Sequence, residues 1–181
     1  RDFVDDEIMP VRQQIDDDAD HAVVTQIMQG LVNVGLIKSV FPEKYGGSDM
    51  GITASQLIVE RSAWGASFGV TLNVHTGIGS MPLVFFGTRA QKEKYLAALA
   101  RGEKIGCFGL TEADHGSDPG GMVTRAVKDG ESYVLNGSKM WITNGNIADV
   151  AVVWAKLNGE VKGFLVEKGT PGFEANLIKH K

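Results

Sequence analysis

Between Ile105 and Asn144 the chain gathers the residue types that can hold and polarise a small molecule. An apolar run, Ile105–Leu110, breaks into Thr111-Glu112-Ala113-Asp114-His115-Gly116-Ser117-Asp118, a loop of hydroxyls, carboxylates and one glycine. Downstream, Trp141 stands between Asn136-Gly137-Ser138-Lys139-Met140 and Ile142-Thr143-Asn144, so that hydroxyls flank a large aromatic. Backbone N–H groups and hydroxyls suit phosphates and ring carbonyls, and an indole offers a flat apolar face. The combination fits a planar heteroaromatic cofactor carrying phosphates better than it fits a metal ion or a nucleic acid.

The elements that must position these residues are β-type. Ile105–Leu110, Met122–Val127, Ser132–Leu135, Met140–Ile142, Val150–Ala155 and Gly163–Val166 are short runs rich in β-branched and aromatic residues. Turn residues separate them, with a D-G pair at Asp129-Gly130 and an N-G pair at Asn136-Gly137. Before Lys104 the period is helical. Val23, Ile27, Leu31 and Val34 follow one helical face over Ala22–Ile37, with Gly35 as its stop. Ile52–Trp64 reads as a second helix, and Phe68–Phe86 as an apolar, small-residue segment buried on most sides and kinked or split at Pro82. Thr88 is placed to cap an amphipathic helix that turns Tyr95, Leu96 and Leu99 inward and stops at Gly102. The pattern is therefore α+β and multi-domain: an all-helical domain over residues 1–103, then an antiparallel, barrel-like β domain over 104–181.

The bulk composition narrows the partners. The chain has 181 residues, 43% of them hydrophobic, and a net charge of −4 without a basic cluster, which disfavours nucleic acid and anionic membrane surfaces. No run of about 18 apolar residues exists to insert into a membrane. The one cysteine, Cys107, has no internal partner for a disulfide and reads as a small core residue. The acidic run Asp16, Asp17, Asp18 and Asp20 lacks the central glycine and terminal glutamate of a calcium loop, and no metal ligands are assigned; it reads as a solvated helix start near His21. His75 reads as a core histidine, His115 as an exposed loop histidine and Glu112 as a structural carboxylate. A start at Arg1 and a β block that stops abruptly at Lys181 suggest a sequence cut at both ends.

Several stretches together resemble the acyl-CoA dehydrogenase family. They are Pro42-Glu43-Lys44-Tyr45-Gly46-Gly47, Phe86-Gly87-Thr88, Gln91–Leu96, Leu110-Thr111-Glu112, Gly116-Ser117-Asp118, Asn136–Lys139 and Trp141–Asn144, in the family's order along nearly the whole chain. The resemblance implies an N-terminal helical domain and part of a middle β domain, with the family's C-terminal helical bundle absent. It implies FAD as cofactor, contacted by Phe108, Gly109, Leu110, Thr111, Gly116, Ser117, Trp141, Ile142 and Thr143, with Ser117 also reaching the acyl-CoA. Asp114-His115 departs from the family's usual proline and small residue, so the loop is expected to differ locally. The implied reaction is α,β-dehydrogenation of an acyl-CoA thioester to the 2-enoyl-CoA, with electrons passed to an electron-transfer flavoprotein. An acyl-CoA oxidase or a catalytically inactive flavin- or acyl-CoA-binding member of the fold is the alternative. The family's base is a glutamate of the C-terminal domain, so no catalytic residue is assigned here and these residues alone are expected to be inactive. Phe68–Phe86 is a candidate acyl-side wall. Val153-Trp154-Ala155 and Gly163–Gly169 look most like the glutaryl-CoA dehydrogenase branch, but the arginine which that branch uses for a distal carboxylate is missing around Phe68-Gly69-Val70. A different dicarboxylic, branched, cyclic or aromatic acyl group is therefore left open. The resemblance further implies a homotetramer or dimer of dimers, in a bacterial cytoplasm or a mitochondrial matrix.

Overall fold

The computed structural model describes residues 1–17, 22–65 and 67–178. Asp18, Asp20 and His21, part of the acidic run and its predicted helix start, lie outside them. The chain divides into two compact units, Arg1–Ile105 and Gly106–Lys181. The first is helical and the second is built on a β-sheet, as the change of period predicts.

In the first unit short helical turns over Val4–Ile8 and Met9–Val11 lead into α1 (Arg12–Asp17). Four longer segments follow: α2 (Ala22–Asn33), α3 (Gly51–Ser62), α4 (Ser67–Thr76) and α6 (Arg89–Ala100), with the short α5 (Met81–Phe86) before the last. Thr88 and Gln91 form a capping box, each side chain accepting from the other's backbone N–H at 3.2 and 2.9 Å. Two helices end on left-handed glycines. Gly35 (φ +76) and Gly102 (φ +63) each let the next residue bond back five positions, Leu36 N–H to Leu31 O and Glu103 N–H to Ala98 O. Phe41, Phe68, Leu96, Leu99, Ile8 and Ile37 form the fully buried centre. His75 is buried with them, its Nε2 3.1 Å from the Leu99 carbonyl, which is the core role its surroundings predict.

Two helical expectations change. α2 turns Val24 and Met28 inward beside Ile27 and Leu31, while Val34 lies past its end and is exposed. Phe68–Phe86 is not one buried segment. Glycines at 77 and 79 end α4, Pro82 starts α5 in its first turn, and Phe85 and Phe86 are left 69% and 85% exposed.

The second unit is organised on β4 (Val150–Leu157). Its neighbours are β1 (Gly106–Gly109), β2 (Arg125–Asp129) and β5 (Glu160–Glu167), while β3 (Ser132–Asn136) pairs with β2. The hairpins β2–β3 and β4–β5 are antiparallel as expected, but β1 and β2 both run parallel to β4, so the sheet is mixed. Long connections between β1, β2 and β4 permit this, because parallel pairing needs a crossover rather than a tight turn. The N-G pair that closes a hairpin is Asn158-Gly159 (φ 52 and 85), not Asn136-Gly137. Met140–Ile142, expected as a strand, is an irregular segment, because Trp141 takes a left-handed φ of 62 that breaks the extended run. Cys107, Ala148 and Ala151 form a small core with Ile142, Val153 and Phe173 packed on it.

Candidate functional site

The chain leaves β1 at Gly109 and enters the Thr111 loop, and the Trp141 segment is tied directly to that exit. The Met140 N–H donates to the Thr111 carbonyl at 2.9 Å. The Lys139 ammonium donates to the Leu110 carbonyl at 3.0 Å and to Glu112 Oε1 at 2.8 Å, with its stem lying over Gly109. Both charged side chains are sunk, 10% exposed for Lys139 and 4% for Glu112.

Glu112 is saturated. Its Oε2 accepts from Val123 N–H at 2.7 Å, and its Oε1 accepts from Thr124 N–H at 3.0 Å, from the Thr124 hydroxyl and from Lys139. Burial alone would raise its carboxyl, but the Lys139 ammonium, the Thr124 hydroxyl and the two backbone N–H groups outweigh it and hold the group at about 2. A carboxylate so held does not take a proton at neutral pH, which supports the structural role its sequence context suggests. Thr124 is brought there by a close backbone approach. A Cβ on Gly137 (φ +152) would fall 2.3 Å from Thr124 Oγ1, so only glycine lets the two segments touch.

The other end of the Trp141 segment is also anchored. Ile142 packs on the Cys107–Ala151 core, and buried Asn144 (φ 65) donates through Nδ2 to the Gly106 carbonyl at 3.4 Å. Its own carbonyl accepts from Ala148 N–H at 2.8 Å. Between two fixed ends Trp141 is held in left-handed backbone and left 59% exposed. A bulky residue there costs on the order of 1–3 kcal/mol, and such strain persists where the surroundings over-determine it.

The predicted site residues divide accordingly. Phe108 is half-buried, its ring edge-on to Trp154 at 5.8 Å, and Gly109 is buried beneath the Lys139 stem. Leu110 and Thr111 are half-buried and bonded to the Trp141 segment, and Ile142 and Thr143 are half-buried within it. The structure thus brings the Thr111 and Trp141 groups together. Gly116 and Ser117 lie exposed farther along the loop, and a Cβ on Gly116 would meet open space. His115, read as exposed, is half-buried, because its ring leans on Gly121 and its backbone pairs both ways with Glu112.

Comparison with known proteins covers both units. The family model of the acyl-CoA dehydrogenase N-terminal domain matches residues 1–103, and that of the acyl-CoA dehydrogenase middle domain matches residues 107–181. The chain belongs to the acyl-CoA dehydrogenase family. A probable acyl-CoA dehydrogenase of Bacillus subtilis (strain 168) is 42% identical over 176 residues, 94% of this chain and 29% of that protein. A crystal structure of an acyl-CoA dehydrogenase from Bacillus anthracis complexed with FAD superposes with a TM-score of 0.94 at 38% identity, covering 99% of this chain and 31% of that one. A glutaryl-CoA dehydrogenase from Mycobacterium smegmatis superposes with a TM-score of 0.89 at 40% identity, covering 98% and 46%. The chain therefore spans less than half the length of these relatives. In this family member Lys139 and Asn144, which the sequence shows as motif residues without a role of their own, and Thr124, which it shows only within a strand run, are the residues that hold the site together. Their only signal was a lysine and an asparagine bracketing the aromatic within Lys139–Asn144.

Proposed function

We propose that the full protein is an FAD-dependent acyl-CoA dehydrogenase that oxidises the α,β-bond of an acyl-CoA thioester and passes the electrons to an electron-transfer flavoprotein. The observation that carries this reading is Trp141: exposed, strained, and held beside the Thr111 loop by bonds at both ends of its segment. FAD, when bound, would supply the two-electron acceptor. This chain's residues would bind and orient it. Trp141 presents a flat apolar face, and Thr111 offers an N–H and a hydroxyl to the edge of the ring that becomes electron-rich on reduction. The Thr143 hydroxyl would hydrogen-bond near flavin N5, Phe108 through Leu110 would line the same site, and Ile142, packed on the Cys107–Ala151 core, would steady the segment. Gly116 and Ser117, free in their loop, are suited to phosphate and pantetheine groups, which need donors without crowding.

Glu112 is unsuited to accept the substrate's proton, because its hydrogen bonds are saturated and its carboxyl is held low; no residue of this chain is assigned that role, and a glutamate of the kind the family uses is the proposed acceptor in the full protein. The test is anaerobic: full-length protein is purified, and flavin absorbance at the visible band is followed while a panel of acyl-CoA thioesters, glutaryl-CoA included, is added. Bleaching without oxygen consumption, and reoxidation by an electron-transfer flavoprotein, support a dehydrogenase. Oxygen consumption under air with peroxide formation would make it an oxidase. Colourless protein that takes up no added FAD would overturn the flavin reading.

A further inference from the structure

Thr111 sits between two peptide groups that are both pinned from the Trp141 segment. Its own carbonyl accepts from Met140 N–H at 2.9 Å, and the carbonyl of the preceding peptide, Leu110 O, accepts from the Lys139 ammonium at 3.0 Å. In a planar trans peptide the C=O and N–H point in opposite directions, so fixing the Leu110 oxygen fixes the Thr111 N–H on the far side. A cation on the oxygen also draws electron density toward it and strengthens the N–H as a donor. That N–H donates to no acceptor among the described residues. It is left as an aimed, polarised donor.

We propose that Lys139 is a positioning residue that presets the Thr111 N–H as a donor favouring reduced over oxidised flavin. The inference rests on the flavin reading above. A buried ion pair is an expensive way to join two segments, since apolar residues of similar volume commonly hold a fold as well or better. Lys139 and Glu112 are nonetheless both sunk, with Glu112 satisfied by four donors. Glu112 at 2.8 Å cancels the ammonium's charge at long range, so what survives is the short-range grip on Leu110 O at 3.0 Å. The effect is accordingly local to one peptide and modest in size.

The experiment uses the full-length holoenzyme and two variants, Lys139→Met and the double Glu112→Gln/Lys139→Met. The double variant avoids leaving a lone buried carboxylate and keeps one amide oxygen as acceptor for one of the Val123 and Thr124 N–H groups. Three quantities are read: the dissociation constant of oxidised FAD, the midpoint potential of bound flavin by anaerobic dye-linked reduction, and the melting temperature. Oxidised FAD is expected to bind within roughly threefold of wild type. The preference for reduced over oxidised flavin is expected to fall by about tenfold, which for a two-electron couple is a shift of about 30 mV to more negative potential. A lowered melting temperature with an unmoved potential in both variants would reduce Lys139 to a structural staple and overturn the inference. So would loss of oxidised FAD from both folded variants, because the lysine would then be holding the cradle rather than tuning a donor. Failure of the flavin reading itself is seen separately, as wild-type protein that binds no FAD.

Discussion

Lowering the pH should loosen the β unit through one carboxylate, and the size of the effect follows from the Glu112 site. Its carboxyl is held at about 2 by Lys139, Thr124 and Val123 against the opposing push of burial, while an unfolded-chain glutamate titrates near 4.3. Because the folded value is the lower one, the stabilisation is complete above the unfolded value and is lost as pH falls toward about 2. A gap of roughly 2.3 pH units at about 1.36 kcal/mol each gives about 3 kcal/mol at neutral pH, of which about 1.8 kcal/mol is gone at about pH 3. Glu112→Gln keeps an acceptor for only one of the two backbone N–H groups, turns an amide NH2 toward the other, and strips the counter-charge from Lys139. It should start about 3 kcal/mol less stable at neutral pH and lack this component of the acid loss. The assay is denaturant unfolding at about pH 7 and about pH 3, read by hydrogen exchange of the buried β4 amides so that the β unit is followed by itself. An equal drop between the two pH values in wild type and Glu112→Gln would refute the assignment of the acid sensitivity to this carboxylate.

Trp141→Gly should relieve the left-handed backbone at φ 62 and raise the apo melting temperature, by an amount corresponding to about 1 kcal/mol, while weakening FAD binding; a lower melting point would show that the indole packs rather than waits for a ligand. Gly137→Ala places a methyl 2.3 Å from Thr124 Oγ1 and should cost about 1–3 kcal/mol in denaturant unfolding, together with loss of protection at the Thr124 amide. Cys107 is buried and its thiol is pushed up to about 12 by desolvation, so a disulfide reagent at mildly alkaline pH should label it only in denaturant; rapid native labelling would contradict its place in the core. Thr143→Ala in the full-length enzyme should slow flavin reduction by substrate with FAD still bound, and stopped-flow rates equal to wild type would remove the hydroxyl from the site.

Where one residue's local preference decides the structure, the sequence was legible. Thr88 predicts a cap and makes one, Pro82 stands in the first turn of a new helix within the apolar segment, and the β-branched run Val150–Ala155 becomes the central strand. Strand direction was not legible, because β1 and β2 are set parallel to β4 by connections of many residues that carry no local signal. The exposure of Phe85 and Phe86 was hidden for a related reason. Hydropathy reports what a side chain prefers, and whether a surface is there to receive it is a tertiary fact.

The site shows the same division at finer grain. The aromatic and hydroxyl residues that a ligand would touch announce themselves by type, and the Thr111 and Trp141 groups do lie together. What brings them together is a pairing of Glu112 and Lys139, 27 residues apart, closed by Thr124 and permitted by the bare backbone of Gly137. None of those four residue types is unusual where it stands: a glutamate after a threonine, a lysine after a serine, a threonine before a strand, a glycine after an asparagine. Each becomes informative only when the others are in place, because a buried lysine is tolerable only beside its carboxylate and that carboxylate only beside its donors. A ligand-facing surface can therefore be read from residue chemistry one position at a time, whereas the support that aims it is a joint property of several positions and appears only in the fold.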